Sequence, residues 1–284
     1  MENEALVQIL TITSLAGLLA AVGMRLTVGE VAKALRGRHL ILIVTLNFAI
    51  VPLLLWLTVR PFHFQAGTLI GMILLSAAPF APVVPVFARM ARADLALAGG
   101  LLALFPPLSV VLTPLVAQVG LQELDVGESP FKATEASLIL AGTILFPFAL
   151  GLVLNHVAPG LVRSFVRALE VVSEAAGAAS LTLAAAGVWS AIVAVGWLPL
   201  AVMGAVSEFC LILGYLVGGP GRNSRRVVGL GTSNRNIALA LLLALQCFQG
   251  TEVVASVVAN GLVLIALGLL HVGVWRLWDQ RASE

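Results

Sequence analysis

The sequence predicts an all-α polytopic membrane protein whose nine transmembrane helices fall into two inverted halves of four and five. Three observations carry this reading: the composition cannot make a water-facing surface, basic residues alternate between successive connections, and two apolar runs are interrupted at matching places. Of 284 residues, 60% are hydrophobic and 11% charged, against about 45–50% and about 25% in ordinary soluble domains. Mean hydropathy is +1.06. At about 20 residues per crossing, the length allows about nine or ten spans with short loops and no separate soluble domain. The runs are continuous rather than alternating, which excludes a porin-like barrel.

Nine apolar segments follow in order, at about 5–24, 40–59, 67–88, 95–119, 136–155, 169–194, 197–217, 227–247 and 253–275. The first opens on Glu2 and Glu4 without a small-residue cleavage site, so it reads as a span and not as a signal peptide. Connections after the first, third, fifth and seventh segments, with the C-terminal tail, carry Arg25, Lys33, Arg36, Arg38, Arg89, Arg92, Arg163, Arg167, Arg222, Arg225, Arg226, Arg276 and Arg281. The opposite side has only Arg60 and Lys132, beside Glu123, Asp125, Glu128, Glu135, Glu2, Glu4 and Glu252. By the positive-inside rule the N-terminus lies outside and the C-terminus in the cytoplasm of a plasma (inner) membrane protein.

The third segment reads Ala78-Pro79-Phe80-Ala81-Pro82-Val83-Val84-Pro85 at mid-span, and the eighth reads Gly229-Leu230-Gly231-Thr232-Ser233-Asn234-Arg235-Asn236 before a run of helix formers from Ile237. Thr232, Ser233 and Asn234 are suitable N-cap types, so a fresh half-helix is expected there. The two segments are five apart and run in opposite directions. Each is the penultimate span of its half. Matched, interrupted spans in inverted halves point to a secondary transporter with its site at the midplane, while prolines that merely kink ordinary helices are the simpler alternative.

Other chemistries lack their residues. A net charge of +2 is too small and dispersed for a nucleic-acid footprint. Cys210 and Cys247 form no disulfide framework or metal-spaced cluster. His39, His63, His156 and His271 sit near span ends, and no His-Glu-x-x-His or Gly-x-Ser-x-Gly appears, so protease and esterase machinery is missing and no enzyme is expected. Trp189, Trp197, Trp275 and Trp278 read as interface anchors. Gly99-Gly100 and the Ala/Gly-rich stretch from Ala175 to Gly187 suit close helix packing.

Four stretches resemble the bile-acid:sodium symporter family: Gly23-Met24-Arg25-Leu26-Thr27; Leu46-Asn47-Phe48-Ala49-Ile50-Val51-Pro52; Ala77 and Pro79 through Ala91-Arg92-Ala93-Asp94 to Leu112-Thr113-Pro114; and Arg235-Asn236-Ile237-Ala238-Leu239-Ala240 with its spacing to Phe248. The resemblance is to the nine-helix form. It implies a panel of spans one, five and six (about 5–24, 136–155 and 169–194) and a core of the rest (about 40–119 and 197–275), in which the two broken helices cross. It further implies an organic anion, such as a bile acid, pantoate or another carboxylate, moved by alternating access with sodium. The family's sodium ligands transfer poorly. Val84 and Pro85 stand where a Ser-Asn pair is usual, Ala98 and Leu102 where Ser and Thr are, Gly231 where a Glu is and Arg235 where a Gln is. Asn47, Thr232 and Asn234 remain as candidate sodium ligands.

Pro82, Thr232, Ser233, Asn234, Arg235 and Asn236 are the candidate substrate-binding residues. Arg235 is always protonated and costs about 2.5–3.5 kcal/mol at the bilayer centre on insertion scales. Three compatible readings stand for it: a structural ion pair with Glu208, a fixed cation in the place of a sodium ion, or a bidentate clamp for a substrate carboxylate. Glu174 either contacts substrate, cycles a proton, or marks the cytoplasmic headgroup end. Half-helix N-termini favour anions independently of any resemblance. A small-organic-anion carrier is therefore expected, with no cofactor other than a sodium ion and with the oligomeric state open. The alternatives are a sodium-independent or proton-coupled exchanger or an efflux permease of the same fold, and a channel or sensor. A channel would show repeated rings of charge or carbonyls, which one lone arginine does not supply.

Overall fold

The computed structural model describes residues 4–26, 38–124, 126, 130–248 and 250–281. Glu2, Thr27, Lys33, Arg36, Asp125 and Glu128 of the sequence reading lie outside these residues, as do the side chains of Arg38 and His39. The described chain is built from α1 (Glu4–Arg25), α2 (Leu40–Val59), α3 (Ala66–Ala77), α4 (Val84–Met90), α5 (Leu95–Glu123), α6 (Ala133–Val157), α7 (Pro159–Gly187), α8 (Trp189–Val195), α9 (Trp197–Val217), α10 (Arg222–Ser233), α11 (Ile237–Cys247) and α12 (Thr251–Arg281). Among the described residues, eight spans, counting α10–α11 as one, are long and apolar enough to cross a membrane; α3 is a shorter apolar helix. This is an all-α polytopic membrane protein.

Boundaries differ from the apolar segments where polar residues join a helix. The helix of the sixth apolar segment, α7, starts ten residues early, at Pro159, whose fixed φ suits a first helical position. It breaks at Val188 and resumes as α8 up to Gly196, whose φ of 78° suits glycine. The last helix runs to Arg281 because Asp279 there accepts from Arg226 of α10 at 2.6 and 2.8 Å.

Small residues set the closest helix contacts. A Cβ on Gly23 would sit 2.2 Å from the Phe148 carbonyl oxygen, and one on Gly151 2.2 Å from that of Ala20, so α1 and α6 touch backbone to backbone. Gly177 abuts the Ser14 side chain, where a Cβ would lie 2.5 Å from Oγ, which joins α7 to α1 as the Ala/Gly-rich stretch predicts. Gly99-Gly100 corrects that expectation: a Cβ on either meets nothing within 4 Å, because neither glycine has another element against it. The apolar bulk divides among a large core, a second one centred on Phe48, Phe80 and Phe105, and a small one of Ala21, Met24, Val162 and Val166 between α1 and α7. Large apolar side chains such as Ile41, Leu138 and Phe146 point outward, the arrangement a bilayer solvates.

Candidate functional site

Both interrupted spans are broken, and the breaks meet. Residues 78–83 separate α3 from α4, and 234–236 separate α10 from α11. Two reciprocal main-chain bonds join them: Ala81 N–H donates to Asn234 O at 3.1 Å, and Asn236 N–H donates to Ala78 O at 2.8 Å. Backbone groups freed by the breaks are thus satisfied by each other, as a low-dielectric interior demands. Thr113 of α5 donates its hydroxyl to Ala77 O at 2.7 Å and closes the end of α3. Phe80 takes a positive φ of 56° and places its ring over Gly231, where a Cβ would lie 1.9 Å from the ring edge. The same ring stacks on Phe105 at 5.1 Å.

The fresh half-helix is capped two to four residues later than the sequence suggests. Asn236, not Thr232, Ser233 or Asn234, is the N-cap of α11, and its Oδ1 accepts from Leu239 N–H at 3.0 Å. Thr232 and Ser233 end α10, and Asn234 is its C-cap. Buried Asn234 donates from Nδ2 to Leu230 O and Ser233 Oγ, both at 3.2 Å, while its buried Oδ1 has no partner.

Arg235 is 2% exposed, and every guanidinium N–H has an oxygen acceptor. Nε donates to Leu75 O at 3.2 Å. Nη1 donates to Asn47 Oδ1 at 2.9 Å and to Thr232 O at 3.4 Å. Nη2 donates to Asn47 O at 3.1 Å and to Ser76 O. All these acceptors are neutral. Leu75 and Ser76 supply carbonyls from the C-terminal end of α3 and Thr232 one from that of α10, so two negative dipole ends face the cation. Asn47 lies in a π-turn of α2 over Leu46–Ile50, and its Nδ2 donates to Thr232 Oγ1 at 3.2 Å.

This geometry corrects two readings of Arg235. Glu208 is not its partner: that carboxylate meets His271 Nε2 at 3.0 Å, because Glu208 faces α12 while its neighbour Ser207 faces the break. Nor is the guanidinium available as a bidentate clamp, since its five donors are already spent. Of the candidate sodium ligands, both Asn47 oxygens and Thr232 O accept from Arg235, Thr232 Oγ1 accepts from Asn47 Nδ2, and Asn234 Oδ1 alone among them has no partner. One open side-chain oxygen beside a fixed cation does not fit a sodium ion while the arginine is in place.

A cavity of about 420 Å³ lies between α1 and α7 on one side and the crossing on the other. Pro82, Asn234, Arg235 and Asn236 reach it, as does exposed Glu174 from α7; Thr232 and Ser233 are buried behind the break, toward α9. Most of the wall is apolar, with Leu18, Val86, Ile237 and Leu241 among it. Thr11, Ser14 and Ser180 add hydroxyls from the far side; Thr11 Oγ1 and Ser180 Oγ lie 2.6 Å apart, and both reach Val7 O. The sequence reading missed these three. Their signal was a stripe of small polar residues on α1 and α7 at helical spacing with Gly17 and Gly177. His271, read as interfacial, was missed as well.

A family model for the sodium bile acid symporter family matches residues 12–205, from within α1 to within α9. No curated protein matches the chain. The match takes in the first break, the Asn47 turn and most of the cavity wall. With the helical membrane architecture, it establishes that the chain belongs to the sodium bile acid symporter family and is an integral membrane transporter of a small molecule.

Proposed function

We propose that this transporter carries a small amphipathic organic anion by alternating access, without sodium, and that Arg235 supplies the fixed positive charge at the crossing. The observation that carries the reading is the oxygen cage around Arg235: a full positive charge held by neutral oxygens and by no carboxylate among the described residues. Such a charge leaves a positive potential at the cavity wall, and the N-terminal end of α11 at Asn236 adds to it. The apolar remainder of the cavity suits the hydrocarbon body of a carboxylate. Its volume lies within the usual range for small-molecule sites, about 300–1,000 Å³.

In this reading α1, α6 and α7 form the panel, and the helices around the two breaks form the core. The cavity lies along their boundary, where relative movement would open it to one side and then the other. Proteoliposome uptake of an organic-anion panel that includes taurocholate, a sulfonate, and pantoate, a carboxylate, tests the proposal. Equal uptake with a sodium or a choline gradient is expected. Sodium-stimulated uptake would overturn the fixed-cation reading, and no uptake of any anion would overturn the substrate class.

A further inference from the structure

Outside the cavity, Glu208 of α9 and His271 of α12 form an ion-pair contact deep in two spanning helices. His271 Nδ1 lies 2.7 Å from Leu267 O, one turn back on its own helix. A carbonyl oxygen carries no proton, so Nδ1 must carry one. The other ring nitrogen, Nε2, lies 3.0 Å from Glu208 Oε2, and that contact also needs one proton between its two atoms. Imidazolium with carboxylate and imidazole with carboxylic acid both satisfy it, and in both the pair is neutral. With the bridging proton removed, a nitrogen lone pair faces a carboxylate oxygen. The pair then carries one negative charge and the contact is lost.

The surroundings favour a proton that comes and goes over a permanent strut. The Glu208 side chain is 41% exposed and that of His271 19%, and Phe209, Ile212, Leu269 and Leu270, near them along the two helices, are exposed. An ionised carboxylate there is costly in hydrocarbon, which favours the neutral, bridged form. Yet Glu208 Oε1 is buried without a hydrogen-bond partner, so the carboxylate is not locked as a fully satisfied ion. Trp275 lies one turn beyond His271, at 6.1 Å ring to ring. At 1.5 Å per residue, Trp275 and Trp278 put the pair about 6–10 Å from the interface they mark.

Few other charges bear on the pair. Among the elements packed on α9 and α12, α2, α3 and α8 carry no ionisable side chain, α11 has Cys247 and α4 has Arg89. The α7 groups are Arg163, Arg167, Glu170 and Glu174; α9 itself has Cys210 and Tyr215, and α12 has Glu252, Arg276, Asp279 and Arg281. The α10 arginines are engaged elsewhere: Arg222 and Arg226 with Asp279, and Arg225 with Gly219 O. Arg226 covers Trp275 and Arg225 covers Tyr215, so an aromatic layer separates these cations from the pair.

We propose that Glu208 and His271 bind one exchangeable proton that couples to anion transport. The proposal rests on the carrier reading above. The two helices that the proton joins hold the second break from two sides. Ser207, beside Glu208, reaches Ser233 O at 3.4 Å. Gly268, three residues before His271, abuts the Asn234 side chain, where a Cβ would lie 2.8 Å from Oδ1. Binding converts hydronium and the anionic pair into water and the neutral, bridged pair; release reverses it. The bridged pair clamps α9 to α12 around residues 233–234, and proton loss frees them. One proton with one monocarboxylate moves no net charge.

Two measurements test this. In sodium-free proteoliposomes that are one pH unit more acidic outside, wild type should accumulate labelled taurocholate or pantoate up to about tenfold, the ratio one proton per anion allows. Glu208→Gln and His271→Asn should lose that accumulation and keep counterflow exchange at equal pH. Accumulation retained in both variants, or absent from a wild type that exchanges the anion, would overturn the proposal. The second measurement needs no substrate: ¹⁵N spectra of the histidine ring in nanodiscs between pH 5 and 9, with the His271 signal assigned by His271→Asn. Nδ1 should stay protonated while Nε2 gains and loses its proton across this range, with a midpoint that differs in Glu208→Gln. An unmoved midpoint, or no titration, would overturn proton binding even if no anion were transported.

Discussion

Arg235→Lys would keep a cation at the second break, yet an ammonium has three donors where the guanidinium spends five. Leu75 O also accepts from Ala78 N–H, so at least one of the remaining oxygens from Asn47, Ser76 and Thr232 would go unpaired, at about 1–3 kcal/mol. Arg235→Lys and Arg235→Gln are both expected to insert in the membrane and to melt lower, with uptake lost in the glutamine variant. Thermal unfolding and vesicle uptake read the two effects separately; unchanged uptake in Arg235→Gln would remove the residue from the mechanism. Gly231 is constrained by space alone. A methyl there would sit 1.9 Å from the Phe80 ring, and Phe80 is fully buried with Phe105 behind it. Gly231→Ala should therefore cost about 1–3 kcal/mol as overpacking, seen as a lower melting temperature in detergent.

At the scale of elements, prolines have opposite outcomes in neighbouring helices. Pro79, Pro82 and Pro85 accompany a break between α3 and α4, whereas Pro106, Pro107 and Pro114 lie inside an α5 that continues from Leu95 to Glu123. The difference is what receives the released backbone groups. The first set faces a second broken helix that returns two main-chain bonds, while in α5 each proline removes only the bond its own nitrogen would make, to the carbonyls of Leu102, Ala103 and Val110, and the ladder continues on both sides. The start of α11 depends on one side chain, the Asn236 cap. Asn236→Ala should cost about 1 kcal/mol and lower uptake more than overall stability, because the cap adjoins the cavity. Melting and uptake on the same preparation check this, and Asn236→Ser should restore most of the stability.

Across the whole molecule, the ends of α10 and α12 are tied outside the apolar layer. Buried Arg226 donates to both oxygens of Asp279 and to Ala91 O at 3.1 Å. These bonds, with the charges of Arg222 and Arg92, hold the Asp279 carboxyl below its ordinary value. The tie is present in full above the ordinary carboxylate range and is lost as pH falls through the lowered value. Asp279→Asn should thus melt below wild type near neutral pH, and the gap should close on strong acidification. A gap independent of pH would show that packing of α12, and not the charge, is what matters there.

The sequence by itself determined that the chain spans a membrane as helices, where most of them run, and which two are interrupted. Those features follow from local quantities: the apolar length needed to cross hydrocarbon, and proline or small polar residues that cannot continue a lipid-exposed helix. It also marked Arg235 as anomalous, since a charge inside an apolar run is costly wherever the chain goes. What the charge does was decided only by the fold. All its acceptors but Thr232 O come from Asn47, Leu75 and Ser76, more than 150 residues away along the chain, and backbone carbonyls have no sequence signature. The pairing of Glu208 with His271 was hidden for the same reason, since two helices had to pack before a residue that looked interfacial could meet a mid-span acid. Hydropathy and charge are properties of single positions, whereas a cage of oxygens and a shared proton are properties of a crossing.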